Sequence, residues 1–390
     1  MNPRIAIASE EFSGIFGDAP LFYGDAPGRV EILGNHTDYN EGFALAAAVD
    51  RTVTVVGRPV PGNISRAYSL TFKSGASFDA ANPVKSQSDA WLNYMMAAAW
   101  QLGRQECSVG AFEALVMGDV PLGAGLSSSA ALEMATGNFI AAMLGAAISP
   151  LDMAVAMRAA ENDFVGVQCG ILDQWTCSMG EEGKALLLDC RALKILSRSP
   201  VPGNLRLVIL DAASPHRLED GEYNRRRTAC FRAATVCAKN ISGKKITHLR
   251  DVTLEELERC RASLSDEDFR RARHVVTENA RALAGAEALE KGDAVRLGAL
   301  MSESHESSRR DFENSSQELD ALVDAARDVA GCYGSRLTGG GFGGAVVNLV
   351  EAEAVDGFGE IVKERYHTVT GLQAACHAFT PAAGATGGSL

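Results

Sequence analysis

The chain has 390 residues, 46% of them apolar, and a formal net charge of −12. That size and apolar share provide for a well-buried core with room for two packed lobes and exclude a disordered chain, while the acidic balance, with no basic run longer than Arg225-Arg226-Arg227, speaks against nonspecific nucleic-acid binding. Residues 1–24 carry charges and glycines where a leader would be apolar, and no stretch approaches 18 uninterrupted apolar residues, so a cytoplasmic protein without a membrane span is expected.

Between residues 21 and 60, turn signals alternate with β-branched apolar runs, predicting strands at Gly28–Leu33, Phe43–Val49 and Thr52–Val56 with a functional loop among them. Residues 89–103 place Trp91, Met95, Ala98 and Leu102 on one helical face. The ten residues from Pro121 to Ala130 form a glycine-rich loop that runs into a helix, predicted to be amphipathic and to pack on the sheet through Leu132, Ala135, Phe139, Ile140 and Met143. From Thr253 the pattern is helical for most of 80 residues: Thr253-Leu-Glu-Glu256 reads as a capping box, Ser265 as a second cap, and Gly292 as a stop after Lys291. A glycine loop, Arg336 to Gly344, then enters a strand at Ala345–Val350. This order favours two α+β lobes, divided somewhere near residues 180–210, over a repeating βα pattern. The nine cysteines, spread from Cys107 to Cys376 without zinc-type spacing, are expected to be reduced thiols, most of them in the core.

Four segments carry chemistry. The Pro121–Ala130 loop lets the backbone approach a ligand at Gly123 and Gly125, and offers the first helix N–H groups with the hydroxyls of Ser127, Ser128 and Ser129, which together suit an anion such as a polyphosphate. It lacks the lysine and the spacing of a Walker A loop. The segment from Ala26 to Asn40 presents a cation (Arg29), an imidazole (His36) and a carboxylate (Asp38), a set suited to a polyhydroxylated molecule, although a His-x-Asp loop by itself is more often a satisfied turn. Glu161 ends a helical pattern and Asp173 follows the turn of Gly166 and Gly170; they suit a magnesium ligand and a group facing a nucleophilic hydroxyl, against the plainer reading of solvated cap residues. Gly339, Gly341 and Gly344 match G-x-G-x-x-G, but a β-branched run follows where a dinucleotide site needs a helix. A structural turn or a loop lining a ligand site remains.

In this order the four segments resemble those of the GHMP kinase superfamily, and among them the galactokinases. The resemblance runs from about Ile15 to Gly384 and includes Tyr223–Cys230 and Arg271–Ala280. It implies an α+β, two-lobed GHMP kinase fold: a lobe over residues 1–195 resembling ribosomal protein S5 domain 2, a ferredoxin-like lobe over 196–390, and a site between them. By the same resemblance, ATP phosphates would be wrapped by Gly123, Ala124, Gly125, Leu126, Ser127, Ser128 and Ser129, with Mg²⁺ at Ser129 and Glu161. Galactose would meet Asn35 and His36 near its 6-hydroxyl, Asp38 at the 3- and 4-hydroxyls, Tyr223 near the 4-hydroxyl and the backbone at Gly170. Asp173 and Arg29 would flank the 1-hydroxyl, with Asp173 as the base; beside an arginine, its positioning and the electrostatic stabilisation should matter more than proton abstraction.

One residue departs from the family pattern. Where galactokinases usually have Gly-Glu-His-Thr-Asp, this chain has Gly34-Asn35-His36-Thr37-Asp38. A neutral partner for the 6-hydroxyl costs about 1 kcal/mol of binding relative to a charged one, so selectivity at C6 is expected to loosen. That leaves room for a kinase of N-acetylgalactosamine, arabinose or a C6-modified galactose. A non-catalytic binder of galactose and ATP is a further alternative, but the presence of Ser127–Ser129, Glu161, Arg29 and Asp173 favours catalysis. A monomer is expected.

Overall fold

A computed structural model describes residues 2–105, 109–213 and 221–390. The chain runs α1 (Pro3–Phe16), β1 (Phe22–Leu33), β2 (Phe43–Pro59), β3 (Ile64–Ser69), β4 (Ser74–Asp79), α2 (Ala90–Gln105), β5 (Phe112–Gly118), α3 (Ser128–Leu144), α4 (Pro150–Ala160), α5 (Leu172–Met179), β6 (Lys184–Asp189) and β7 (Lys194–Pro200). It continues through β8 (Leu205–Asp211), α6 (Glu222–Asn240), α7 (Leu254–Arg259), α8 (Asp266–Glu290), α9 (Ala294–Ser307), α10 (Gln317–Ala326), β9 (Cys332–Thr338), β10 (Ala345–Glu351), α11 (Val355–Thr370), β11 (Ala375–Phe379) and β12 (Thr386–Ser389).

These elements form the expected two-lobed α+β arrangement around two sheets. The first has the order β12-β1-β2-β5-β3-β4, with β6 on β2 and β7 on β6; the second is β11-β8-β10-β9, antiparallel throughout. The two strands predicted at 43–49 and 52–56 are one. Asp50 and Arg51 interrupt the apolar pattern but not the strand, which pairs β6 over Phe43–Ala46 and β5 over Val53–Pro59, so its polar middle marks a change of neighbour. Against β1 the register shifts between Pro27 and Arg29, an irregularity of the kind that re-aims a side chain, and here the side chain is Arg29. The last strand, β12, returns to the first sheet beside β1, and Ala382 N–H donates to Ala48 on the way.

The helix that follows the glycine-rich loop, α3, differs from the amphipathic expectation. It is buried on every face from Ala130 to Gly137 and again over Phe139–Ala141, lying against β1 and β2 on one side and α2, α4 and β12 on others. Its small residues allow that close approach; Gly137, for example, lies beneath the sulfurs of Met153 and Met157. In the second sheet, alternation along β8 divides the core: Val208 and Leu210 pack with α10 and α11, while Leu205, Leu207 and Ile209 join the apolar cluster shared with the first lobe.

The end signals in the helical stretch hold. Thr253 Oγ accepts from Glu256 N–H and the Glu256 carboxylate accepts from Thr253 N–H, Ser265 caps α8 by accepting from Asp268 N–H, and Gly292 follows α8 in a left-handed conformation. Cysteines 169, 177, 190, 230, 237, 260, 332 and 376 are free thiols, five of them buried, while Cys107 lies outside the described residues. Among the described residues no helix is long and apolar enough to cross a membrane.

Candidate active site

Asp173 stands in the first turn of α5, where the glycine-rich loop, β1 and the sugar-type loop converge. Its Oδ1 accepts from Arg29 Nε at 2.8 Å and Nη2 at 2.7 Å, and its Oδ2 accepts from the Ser127 hydroxyl at 2.5 Å. The third arm of the guanidinium, Nη1, donates to Gly125 O at 2.6 Å, and Arg29 N–H donates to Leu126 O at 3.0 Å. Arg29 therefore ties the loop to the carboxylate from both its backbone and its side chain. Ser127, in a left-handed conformation with φ of 53°, does not cap α3 with its hydroxyl; the sequence reading aimed that hydroxyl at an anion, and here it is spent on Asp173.

A small cavity of about 150 Å³ opens beside Asp173, lined among others by Arg29, Asn35, His36, Asp38, Glu161, Gly170 and Tyr223. Asp38 is held by Tyr39 N–H at 2.9 Å and faces the start of α5 through Leu172 N–H at 3.4 Å. Burial, with Asp173 adding its charge, pushes the Asp38 carboxyl up to about 6. Gly170 is required here: a Cβ would lie 1.8 Å from Asp38 Oδ2.

His36 and Asn35 line the same cavity but already have protein partners. Burial lowers the His36 imidazole to about 3, so it is neutral. Gly340 O, 3.1 Å from Nε2, can only accept, which puts the single ring proton on Nε2; Nδ1 then accepts from the Tyr39 hydroxyl at 2.8 Å. Asn35 Nδ2 donates to Gly339 O at 2.7 Å and to Glu31 Oε2 at 3.4 Å, while its Oδ1 accepts from Asn314 Nδ2 at 2.9 Å. Each polar atom of this amide joins the first lobe to itself or to the second. The glycine loop Gly339–Gly344 is the partner in both cases, and its Gly339 and Gly340 line the cavity, in keeping with the ligand-lining alternative weighed for it.

The phosphate-type loop borders a second cavity of about 430 Å³, lined by Gly123, Ser128, Ser129 and Leu132 together with Phe72, Trp91 and Tyr94. Leu122 at its rim is half exposed. Glu161 closes the α4 helix, where a wider turn begins. Its Oε2 accepts from Gln174 Nε2 at 2.6 Å and Cys169 Sγ at 3.1 Å, and burial, with Asp173 nearby, raises its carboxyl to about 7. Sequence reasoning missed the cavity-lining place of Phe72, in the turn after β3, and of Trp91 and Tyr94 on α2, where an aromatic residue lining a cavity has the same helical spacing as one filling a core. It also missed Glu31, buried beneath the sugar-type loop and paired with the fully buried Arg336 at 3.0 Å.

Three family models match in chain order: the galactokinase galactose-binding signature over residues 10–59, the GHMP kinases N terminal domain over 93–181 and the GHMP kinases C terminal domain over 286–368. A galactokinase of Chloroflexus aggregans is 44% identical over 347 residues, spanning 89% of this chain and 88% of that protein. This chain belongs to the galactokinase family of the GHMP kinases. A galactokinase of Glaesserella parasuis is 36% identical across 98% of this chain and 99% of its own length. Among solved structures, Lactococcus lactis galactokinase complexed with galactose superposes with a TM-score of 0.91 at 30% identity, covering 98% of this chain and 99% of that one. Methanococcus jannaschii mevalonate kinase, at 15% identity and a TM-score of 0.63, shares the fold alone. The galactokinase signature takes in Arg29, Asn35, His36 and Asp38; Glu161 and Asp173 fall within the N-terminal domain match.

Proposed function

We propose that this protein transfers the γ-phosphoryl group of ATP to the 1-hydroxyl of D-galactose, giving galactose 1-phosphate and ADP. The observation that carries the reading is Asp173, which lines the small polar cavity and is fixed between Arg29 and Ser127 of the glycine-rich loop. Galactose enters the cavity with its 3- and 4-hydroxyls donating to Asp38, Tyr223 near the 4-hydroxyl and the Gly170 backbone alongside. The phosphates lie along Gly123–Ser129, and the nucleoside occupies the apolar cavity of Phe72, Trp91 and Tyr94. The 1-hydroxyl oxygen forms the new bond to phosphorus, the bond to the bridging oxygen of ADP breaks, and the hydroxyl proton passes toward Asp173. Arg29 offsets the negative charge gathered there. Because Asp173 already accepts three hydrogen bonds from Arg29 and Ser127, its main contribution is to orient the hydroxyl.

Mg²⁺ fits the donors present. Ser129 and Glu161 would supply hard oxygen ligands in the small number that this ion takes from protein, and a buried carboxyl held up at about 7 is one that a cation would stabilise. When bound, the ion neutralises charge on the phosphate oxygens. The roles divide near residue 195, with the sugar loop, the phosphate loop and Asp173 before it and Tyr223 with the covering Gly339–Gly344 loop after it. On this reading the protein acts as a monomer in the cytoplasm. With its amide engaged by Glu31, Gly339 and Asn314, Asn35 gives the reading of a different sugar no support.

The test is ADP release from ATP and Mg²⁺ with a panel of hexoses and pentoses. Galactose should give the highest kcat/KM. Faster turnover of a C6- or C2-altered sugar would displace it, and no ADP release with any sugar would leave a binding protein.

A further inference from the structure

Glu133 is a buried carboxyl that the transfer reaction does not use. It lies on α3, fully removed from solvent, in a helix whose other buried residues are almost all apolar or small. Its Oε2 accepts from Gln174 Nε2 at 3.0 Å, and the other hydrogen of the same amide goes to Glu161 Oε2. One amide nitrogen thus joins two carboxyl groups, on the residue immediately after Asp173. Glu133 Oε1 and Gln174 Oε1 are buried without a hydrogen-bond partner. Placing one carboxyl near another away from water is unfavourable, and a methionine would fill comparable space on α3 without that cost. Packing therefore does not account for Glu133.

We infer that Glu133 is a positioning residue for Glu161: through Gln174 it fixes the Glu161 carboxylate in the orientation that receives the divalent cation of the nucleotide substrate. The inference rests on the reading of Glu161 as a cation ligand. Glu161 needs such support because it stands where α4 gives way to the wider turn of Glu161–Val165: its N–H still bonds Met157 O as in the helix, but its carbonyl accepts from Gly166 N–H five residues on. Both of its donors, Gln174 and Cys169, fall on Oε2, which leaves Oε1 for the cation. The Gln174 amide would swing if it lost its second acceptor, and Glu161 would lose its fixed rotamer with it. Groups that hold a ligating carboxylate in this way typically contribute 10- to 100-fold to metal affinity.

The experiment titrates Mn²⁺, an oxygen-preferring stand-in for Mg²⁺, into the full-length protein with ADP present and reads free Mn²⁺ by electron paramagnetic resonance. Glu133→Met should weaken Mn²⁺ binding by about tenfold or more. Glu133→Gln, which keeps an oxygen for the Gln174 amide, should recover most of that loss, and galactose affinity measured by calorimetry should be unchanged in both. Should Glu133→Met not fold, Gln174→Met breaks the same bridge from its other end and carries the same expectation. Glu161→Gln separates the two levels: if it loses Mn²⁺ affinity while Glu133→Met and Gln174→Met keep theirs, the positioning role is overturned. If Glu161→Gln itself binds Mn²⁺ normally, the cation reading falls and the inference falls with it.

Discussion

The sugar-type loop and the phosphate-type loop lie on opposite sides of Asp173 and are built in opposite ways. From Gly34 to Asn40 nearly every polar side chain is buried and bonded to protein: Asn35 to Glu31, Gly339 and Asn314, His36 to Tyr39 and Gly340, Thr37 to two carbonyls, and Asn40 to His36 O. Asp38 alone in this loop has a carboxylate held only by two backbone N–H groups. From Pro121 to Ser129 the loop is largely half-exposed or exposed, and the hydroxyls of Ser128 and Ser129 have no hydrogen-bond partner among the described residues. The contrast points to a sugar site formed before its ligand arrives and a nucleotide site completed by its ligand. Preorganisation on the sugar side suits selectivity, because ordering has already been offset by contacts with the second lobe.

The largest expected effect lies where the loops meet. If, as proposed, Asp173 acts on the reacting hydroxyl, Asp173→Ala should lower kcat by about 10³-fold while a non-hydrolysable ATP analogue still binds. Equal losses in both measurements would make Asp173 a support for the loop rather than part of the chemistry.

A matched pair of substitutions tests the contrast between the loops. Asn35→Glu, which restores the usual family residue, would place a carboxylate against Glu31 and the Gly339 carbonyl and remove the donor they share; denaturant unfolding should show a loss of about 2–3 kcal/mol. Ser128→Ala in the phosphate loop should change stability by no more than about 0.5 kcal/mol and weaken nucleotide binding instead. The sequence alone assigned Asn35 to selectivity at the sugar's 6-hydroxyl, and its bonded amide now makes it a joint between the lobes. If Asn35→Glu left stability unchanged and sharpened selectivity at C6, the loop would be less rigid than its contacts imply.

The smallest effect is a pH dependence. Asp38 at about 6 becomes charged only above that value, so galactose should bind at full strength above about pH 7 and lose affinity by up to about tenfold per unit below pH 6. Asp38→Asn should bind more weakly with a flat profile. For stability, the fold holds this proton more tightly than the unfolded chain does, whose Asp titrates near about 4, so between there and pH 6 this group lowers stability as pH rises.

What was legible in the sequence was local. Capping residues Thr253 and Ser265, the stop at Gly292 and the strand β10 depend on neighbours within a few positions, and each is found where its pattern placed it, whereas β1 begins at Phe22, ahead of the predicted start at Gly28. The motif order also brought Arg29 and Asp173 together across 144 residues, through resemblance rather than through pattern. What stayed hidden depends on distant partners. Asn35 meets Asn314 across 279 residues, the polar break at Asp50-Arg51 is bridged by sheet pairing on both sides, and α3 is enclosed by elements scattered from β1 to β12. Glu133 drew no reading from the sequence, because nothing nearby in the chain announces Gln174.

The most direct measurement is a crystal structure of the protein with galactose and a non-hydrolysable ATP analogue. The account predicts phosphates lying along Gly123–Ser129 and the sugar's 1-hydroxyl within roughly 2.6–3.2 Å of the Asp173 carboxylate, in line with the terminal phosphorus. A glycine-rich loop without phosphate, or an Asp173 carboxylate facing away from the 1-hydroxyl, would contradict it.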